Sequence, residues 1–124
     1  RGSTPLILAT YYDQREIANI LLEQGAKIDA KDASGNTALM GTSFKGLIKI
    51  AKDLINRGAN VNERNSLGGT CLIYAATFNR LELAKLLIEF GADTNVKDAQ
   101  GKTALDHAKI QGFSDLIALL DKNG

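Results

Sequence analysis

The chain has 124 residues, 44 % of them apolar and 23 % charged, an ordinary balance for a single globular domain. Its net charge of +1 argues against a surface built on phosphate contacts, and so against a nucleic-acid partner. No apolar run reaches the roughly 18 residues that would suggest a membrane span, and the single cysteine, Cys71, excludes an intramolecular disulfide.

In chain order, Arg1-Gly2 stand where later copies carry the end of a turn, so the chain enters in mid-turn. Thr4 then opens a pattern that recurs. Threonine-x-leucine falls at Thr4/Leu6, Thr37/Leu39, Thr70/Leu72 and Thr103/Leu105, always 33 residues apart. Two glycine series, Gly2/Gly35/Gly68/Gly101 and Gly25/Gly58/Gly91/Gly124, keep the same spacing. The chain is therefore read as one domain, 1–124, of four copies: 1–34 (truncated at its start), 35–67, 68–100 and a C-terminal cap, 101–124.

Each later copy opens with Asx first and glycine fourth, as in Asp32-Ala33-Ser34-Gly35, Asn65-Ser66-Leu67-Gly68 and Asp98-Ala99-Gln100-Gly101. An Asx side chain bonds the local backbone and glycine accepts positive φ at low cost, so these are predicted turns. The threonine two residues on is a predicted N-cap, and Pro5 suits the first helical position of copy one. A first helix is expected from each threonine, ending in copy two at Gly46. A second helix follows, with Leu81, Leu83, Leu86, Leu87 and Ile88 giving one broad apolar face, and Gly91 stops it as an αL cap would. Ala92 to Val96 are expected to run extended into the next turn. Such a unit buries its apolar stripe only against neighbours, so the copies must stack.

The copies differ in ways that carry expectations. Copy one shows apolar Ile7 and Leu8 where a terminal unit needs a polar face, from which sequence upstream of Arg1 is expected. Copy two is the weak one: Gly41 sits inside a helix, at a cost of about 1 kcal/mol against alanine, and Asp53 interrupts the column Ile20, Leu86, Leu119. Lys45, Lys49, Lys52 and Arg57 there read as a solvated helix face. Copy three is the most regular. In copy four, Ser114 and Asp121 replace apolar residues, as a terminal cap requires.

Gly68, Thr70, Leu72, Ala75, Ala76, Leu81, Glu82, Lys85, Leu86, Leu87, Glu89, Gly91, Ala92, Asp93 and Asn95 match the pattern of the ankyrin repeat, and the whole chain resembles that family. The resemblance implies an all-α solenoid of four stacked helix-turn-helix repeats joined by short β-hairpin loops. It also implies a non-enzymatic module that binds a partner protein through the concave groove and hairpin tips. The family's histidine after the leucine is replaced by Ile7, Met40, Ile73 and Asp106, so the bonds it makes to adjacent turns are expected to be missing.

On that reading the residues before the end of each first helix face the groove: Tyr11-Tyr12, Phe44-Lys45, Thr77-Phe78 and Ile110-Gln111. Aromatic enrichment is an interface signature, although rings along a groove also serve to pack the stack. Leu67, an apolar residue at a hairpin tip, is a further candidate, beside tip residues such as Ala33, Asn36, Ser66 and Lys102. Asn62 and Asn95, each eight residues after a leucine (Leu54, Leu87), fit the spacing of hairpin asparagines hydroxylated in some animal arrays; the simpler reading is that they brace the hairpin.

Catalytic constellations do not emerge. His107 is the sole histidine, and its neighbour Asp106 does not face it on a helix. No metal-ligand spacing, phosphate-cradling glycine loop or nucleophile elbow is present, so neither catalytic nor metal residues are assigned and no cofactor is implied. Cys71 reads as structural. A monomer is expected; the alternative is a structural or oligomerisation segment of a longer array.

Overall fold

The computed structural model describes residues 2–124; the mid-turn reading at Arg1 lies outside them. Among the described residues eight helices occur in four pairs: α1 (Pro5–Tyr11) and α2 (Arg15–Glu23), α3 (Ala38–Lys45) and α4 (Ile48–Asn56), α5 (Cys71–Thr77) and α6 (Leu81–Glu89), α7 (Ala104–Gln111) and α8 (Ser114–Asn123). First helices α1, α3, α5 and α7 pack side by side as one layer, and α2, α4, α6 and α8 form a second layer behind them.

The threonines start the helices as their chemistry predicts. Thr4, Thr37, Thr70 and Thr103 lie in extended backbone and each accepts from an amide three residues on. Thr103 and Asp106 complete a capping box, so the residue in the family's histidine column has a local task in copy four. The backbone amide of Thr103 holds the Asp106 carboxyl below its ordinary value, against the effect of burial.

Second helices end at Gly25, Gly58 and Gly91, with φ of 94, 96 and 92°. In each, the next amide reaches back five residues, as Ala92 N does to Leu87 O at 2.9 Å, which satisfies a carbonyl the helix leaves open. First helices end on another column spaced by 33, Asp13, Gly46, Asn79 and Gly112, every one at positive φ. Asp and Asn take αL more readily than most side chains, which is why two non-glycines are found there.

Between layers the core is a strip of aligned leucines and isoleucines: Leu6, Leu39 and Leu72 in the first helices, Ile50, Leu83 and Leu116 with Leu54, Leu87 and Leu120 in the second, all buried. Burial of each such side chain contributes about 1.5–3 kcal/mol. Cys71 belongs to the same core, and burial pushes its thiol up to about 12, the inert state expected of it.

Two expectations change. The arms after the second helices are not extended: Asn60 Oδ1 accepts from Asn62 N, and Asp93 Oδ1 from Asn95 N, each at 2.9 Å, folding the arm into an Asx turn. The hairpins close by two backbone bonds apiece, such as Asn65 N to Gly69 O at 3.0 Å and Gly68 N to Asn65 O at 2.9 Å, and no strand forms among the described residues. Neighbouring tips bond one another instead, Ser66 N to Ser34 O (3.0 Å) and Ala99 N to Leu67 O (2.9 Å).

Asp53, read as an interruption of an apolar column, is a cross-repeat anchor. Arg15 grips it with Nε and Nη2 at 2.8 and 2.9 Å, and Asn19 adds a bond at 3.3 Å. The Arg15 hydrogen bond holds the Asp53 carboxyl below its ordinary value of 3.8, outweighing partial burial.

Candidate functional site

Hairpin tips on one side and first helices on the other leave a row of depressions, one per repeat junction. The first, about 390 Å³, is lined by Tyr11, Tyr12, Gly41 and Phe44 with Asp32 and Leu8. The second, about 420 Å³, lies between Phe44, Asn65, Leu67 and Tyr74. The third, about 180 Å³, lies between Leu67, Tyr74, Thr77 and His107. The wall is rigid because the Asx side chains hold it from inside. Asp32, Asn65 and Asp98 each use Oδ1 to accept two tip amides at 2.9–3.0 Å.

The candidate residues divide into separate groups along this row. Tyr11 and Tyr12 meet edge to face with centroids 5.5 Å apart, and Lys45 Nζ stands 4.4 Å from the first ring centroid and 5.4 Å from the second. Tyr12 is 62 % exposed. Phe44, half-buried against the core, lines both the first and the second depression, with its ring centroid 4.8 Å from that of Tyr74 and 6.0 Å from that of Phe78. Phe78 remains exposed, stacked on Tyr74 at 6.5 Å. Thr77 spends its hydroxyl proton on Ile73 O at 2.8 Å and lines the third depression. Leu67, 65 % exposed, forms the ridge between the second and third depressions. Ile110 and Gln111 are exposed at the far end, outside the linings of all three.

Sequence reasoning passed over Tyr74 and the electrostatics beneath it. Leu8, Gly41, Tyr74 and His107 form one column, again spaced by 33. Its polar members return to their own turns: Asn65 Nδ2 donates to Tyr74 Oη at 2.8 Å, and His107 Nε2 lies 2.8 Å from Asp98 Oδ2. Bonds from helix to turn, expected to be missing with the family's histidine, are thus made in these two repeats from one residue later. Burial pushes the Asp98 carboxyl up, yet the bond from His107 and the amides of Lys102 and Gln100 outweigh it, and Asp98 stays below its ordinary value.

The hairpin asparagines differ from each other. Asn62 accepts from Asp93 N at 2.8 Å and donates to Gly91 O at 3.1 Å, tying its arm to the next one. Asn95 is exposed, and its backbone amide takes part in the Asx turn on Asp93.

This arrangement offers shape and apolar surface with anchored polar walls, the makings of a recognition surface. No helix of the described residues is long and apolar enough to cross a membrane. Among known proteins, the family model for ankyrin repeats, written as three copies, matches residues 1–65 and 39–124. A mouse protein, "Protein fem-1 homolog A-like", is 50 % identical over 38 residues, which is 31 % of this chain and 6 % of that protein. The chain therefore spans a small part of that relative's length.

Proposed function

The chain belongs to the ankyrin repeat family, whose members are in general protein–protein interaction modules, and from that premise we propose that it is non-enzymatic and holds a partner protein along the groove of hairpin tips and first helices. The observation that carries the reading is the set of apolar side chains left in water at the ends of the first helices and at a hairpin tip, Tyr12, Phe78, Ile110 and Leu67, in an array whose tip amides are already bonded. A partner meeting that face has little to order, so the buried area converts efficiently into affinity. Aromatic side chains are the usual anchors of such contacts.

The test is capture of a partner from source lysate on three immobilised chains: wild type, Tyr12→Ala/Phe78→Ala, and Glu82→Ala/Lys85→Ala on the exposed side of α6. Phe44 is a poor probe because it is half-buried against Tyr74. With matched circular dichroism melts, a partner retained by wild type and the α6 variant but weakened by more than about 1 kcal/mol in the aromatic variant supports the groove. Equal capture by all three sinks it.

A second reading, a stacking or oligomerisation element, has one observation behind it. Ile50, Leu83 and Leu116 are buried, while Ile17 in the same column is exposed, as is Ile20, whose counterpart Asp53 bonds back onto α2. The outer face of the first pair thus presents apolar side chains that no other described helix covers. On this reading sedimentation equilibrium gives a mass that rises with concentration and falls back in Ile17→Glu; one concentration-independent mass removes self-association.

A further inference from the structure

In repeats three and four the Asx residue that opens the hairpin has its whole side chain engaged. Asn65 accepts two amides with Oδ1 and donates from Nδ2 to Tyr74 Oη. Asp98 accepts two amides with Oδ1 and meets His107 with Oδ2. In repeat two the column that supplies Tyr74 and His107 holds Gly41, which has no side chain to offer. Asp32 Oδ1 accepts the amides of Ser34 and Asn36 in the same way, but no group of the described residues bonds its Oδ2. The space of the missing side chain is the cleft of about 390 Å³ bounded by Tyr11, Tyr12 and Phe44. A Cβ placed on Gly41 would meet a single heavy atom, Tyr11 Cδ1 at 3.7 Å, so the glycine is not dictated by crowding.

We propose that this cleft receives a basic side chain, arginine or lysine, presented by the partner protein, with its charged head at Asp32 Oδ2 and its stem along the rings; this rests on the groove being the binding face. Three properties of the site select that chemistry. A partner anion would face the Asp32 carboxylate, and a purely apolar side chain would strip water from Oδ2 and leave it unpaired, which is costly. The rings are already placed for a cation: Lys45 Nζ stands over Tyr11 and Tyr12 in the free protein, 4.4 and 5.4 Å from their centroids. The volume falls within the roughly 300–1,000 Å³ typical of ligand-sized clefts. Lys45 is solvent-exposed, so an incoming cation displaces it from the rings at small cost.

The experiment is an amide chemical-shift titration of the full ¹⁵N-labelled chain with N-acetyl-arginine amide, and with N-acetyl-norleucine amide as the neutral probe of similar stem. The arginine probe is expected to shift the amides of Asp32, Gly41 and Phe44 in a saturating manner while the norleucine probe leaves them in place. Asp32→Asn keeps the turn, because Asn65 makes the same two amide bonds in repeat three, and is expected to weaken the arginine probe about fivefold or more. Gly41→Tyr fills the cleft and abolishes its shifts. Lys45→Gln tightens binding by removing a like charge from the rings. Equal shifts from norleucine, or undiminished arginine binding in Asp32→Asn, overturn the basic side chain while leaving an apolar groove in place. Silence toward both probes overturns the cleft as a subsite, and the capture experiment on Tyr12 and Phe78 then decides the groove independently.

Discussion

Repeats two and three share a register residue for residue, yet Gly41 and Tyr74 make different surfaces of the same scaffold. In repeat three the Tyr74 ring bridges Phe44 and Phe78, and its hydroxyl closes the Asn65 turn. Repeat two has a hole in that place and, beside it, a carboxylate oxygen of Asp32 that no described residue bonds. The lesson is that the repeat code fixes caps, turns and the leucine core, while one column facing the groove is free to be support or vacancy. Function in such an array is written in the columns that the fold does not need.

Making repeat three resemble repeat two gives the largest effect. Tyr74→Ala removes ring contacts on both sides and the bond to Asn65, and is expected to cost about 2 kcal/mol in urea unfolding, short of a fully buried aromatic because Tyr74 is only half-buried. Gly69 is bound to the same feature: a Cβ there would come within 2.5 Å of Tyr74 Oη. Gly69→Ala should therefore be costly in the wild type and nearly free once Tyr74 is alanine, a coupling that a double-mutant cycle measures. Additive costs would mean that Gly69 serves the backbone alone.

The third version of the column, His107 on Asp98, gives a middle-sized effect with a pH signature. His107→Ala should cost about 1 kcal/mol at neutral pH. The Asp98 carboxyl is depressed in the folded chain, so its contribution is present above the unfolded value of 3.8 and is lost as pH falls below that value. Removing His107 takes away part of that depression and should flatten the fall of stability on the acid side of pH 4, read by urea midpoints at successive pH values. Asp53 is depressed in the same direction by Arg15, so the flattening is partial. An unchanged acid limb in His107→Ala would show that the pair contributes packing alone.

What was legible in the sequence was whatever acts over a few residues. Threonine caps, Asx turns and the glycines after second helices each bond within about one turn of chain, so residue type and spacing determine them. What was hidden depends on the reach of a side chain across repeats. Asp53 looks like a flaw in an apolar column until Arg15, 38 positions earlier, closes on it. His107 looks idle beside Asp106, because its partner Asp98 lies on the turn nine residues back. The arms are a different case: the bond from Asn95 N to Asp93 is local, and Asp93-x-Asn95 already has the form of an Asx turn. Among the candidate residues, column position did not give the half-burial of Phe44, which Tyr74 decides from the next repeat.

The smallest change sharpens the contrast most. Gly41 lies inside α3, where glycine costs about 0.5–1 kcal/mol relative to alanine through the freedom it loses on folding. It is not among the glycines at positive φ. A methyl group there meets only Tyr11 Cδ1, at an ordinary contact distance of 3.7 Å, and so has room. Gly41→Ala should accordingly raise stability by about 0.5–1 kcal/mol, seen as a higher urea midpoint with unchanged slope. That outcome would mean that the chain carries a destabilising residue which neither its backbone nor its packing requires, leaving the open cleft beside Asp32 as the feature that needs it. A loss of stability would mean instead that α1 and α3 approach too closely for a methyl group, and the glycine would then belong to the packing of the stack.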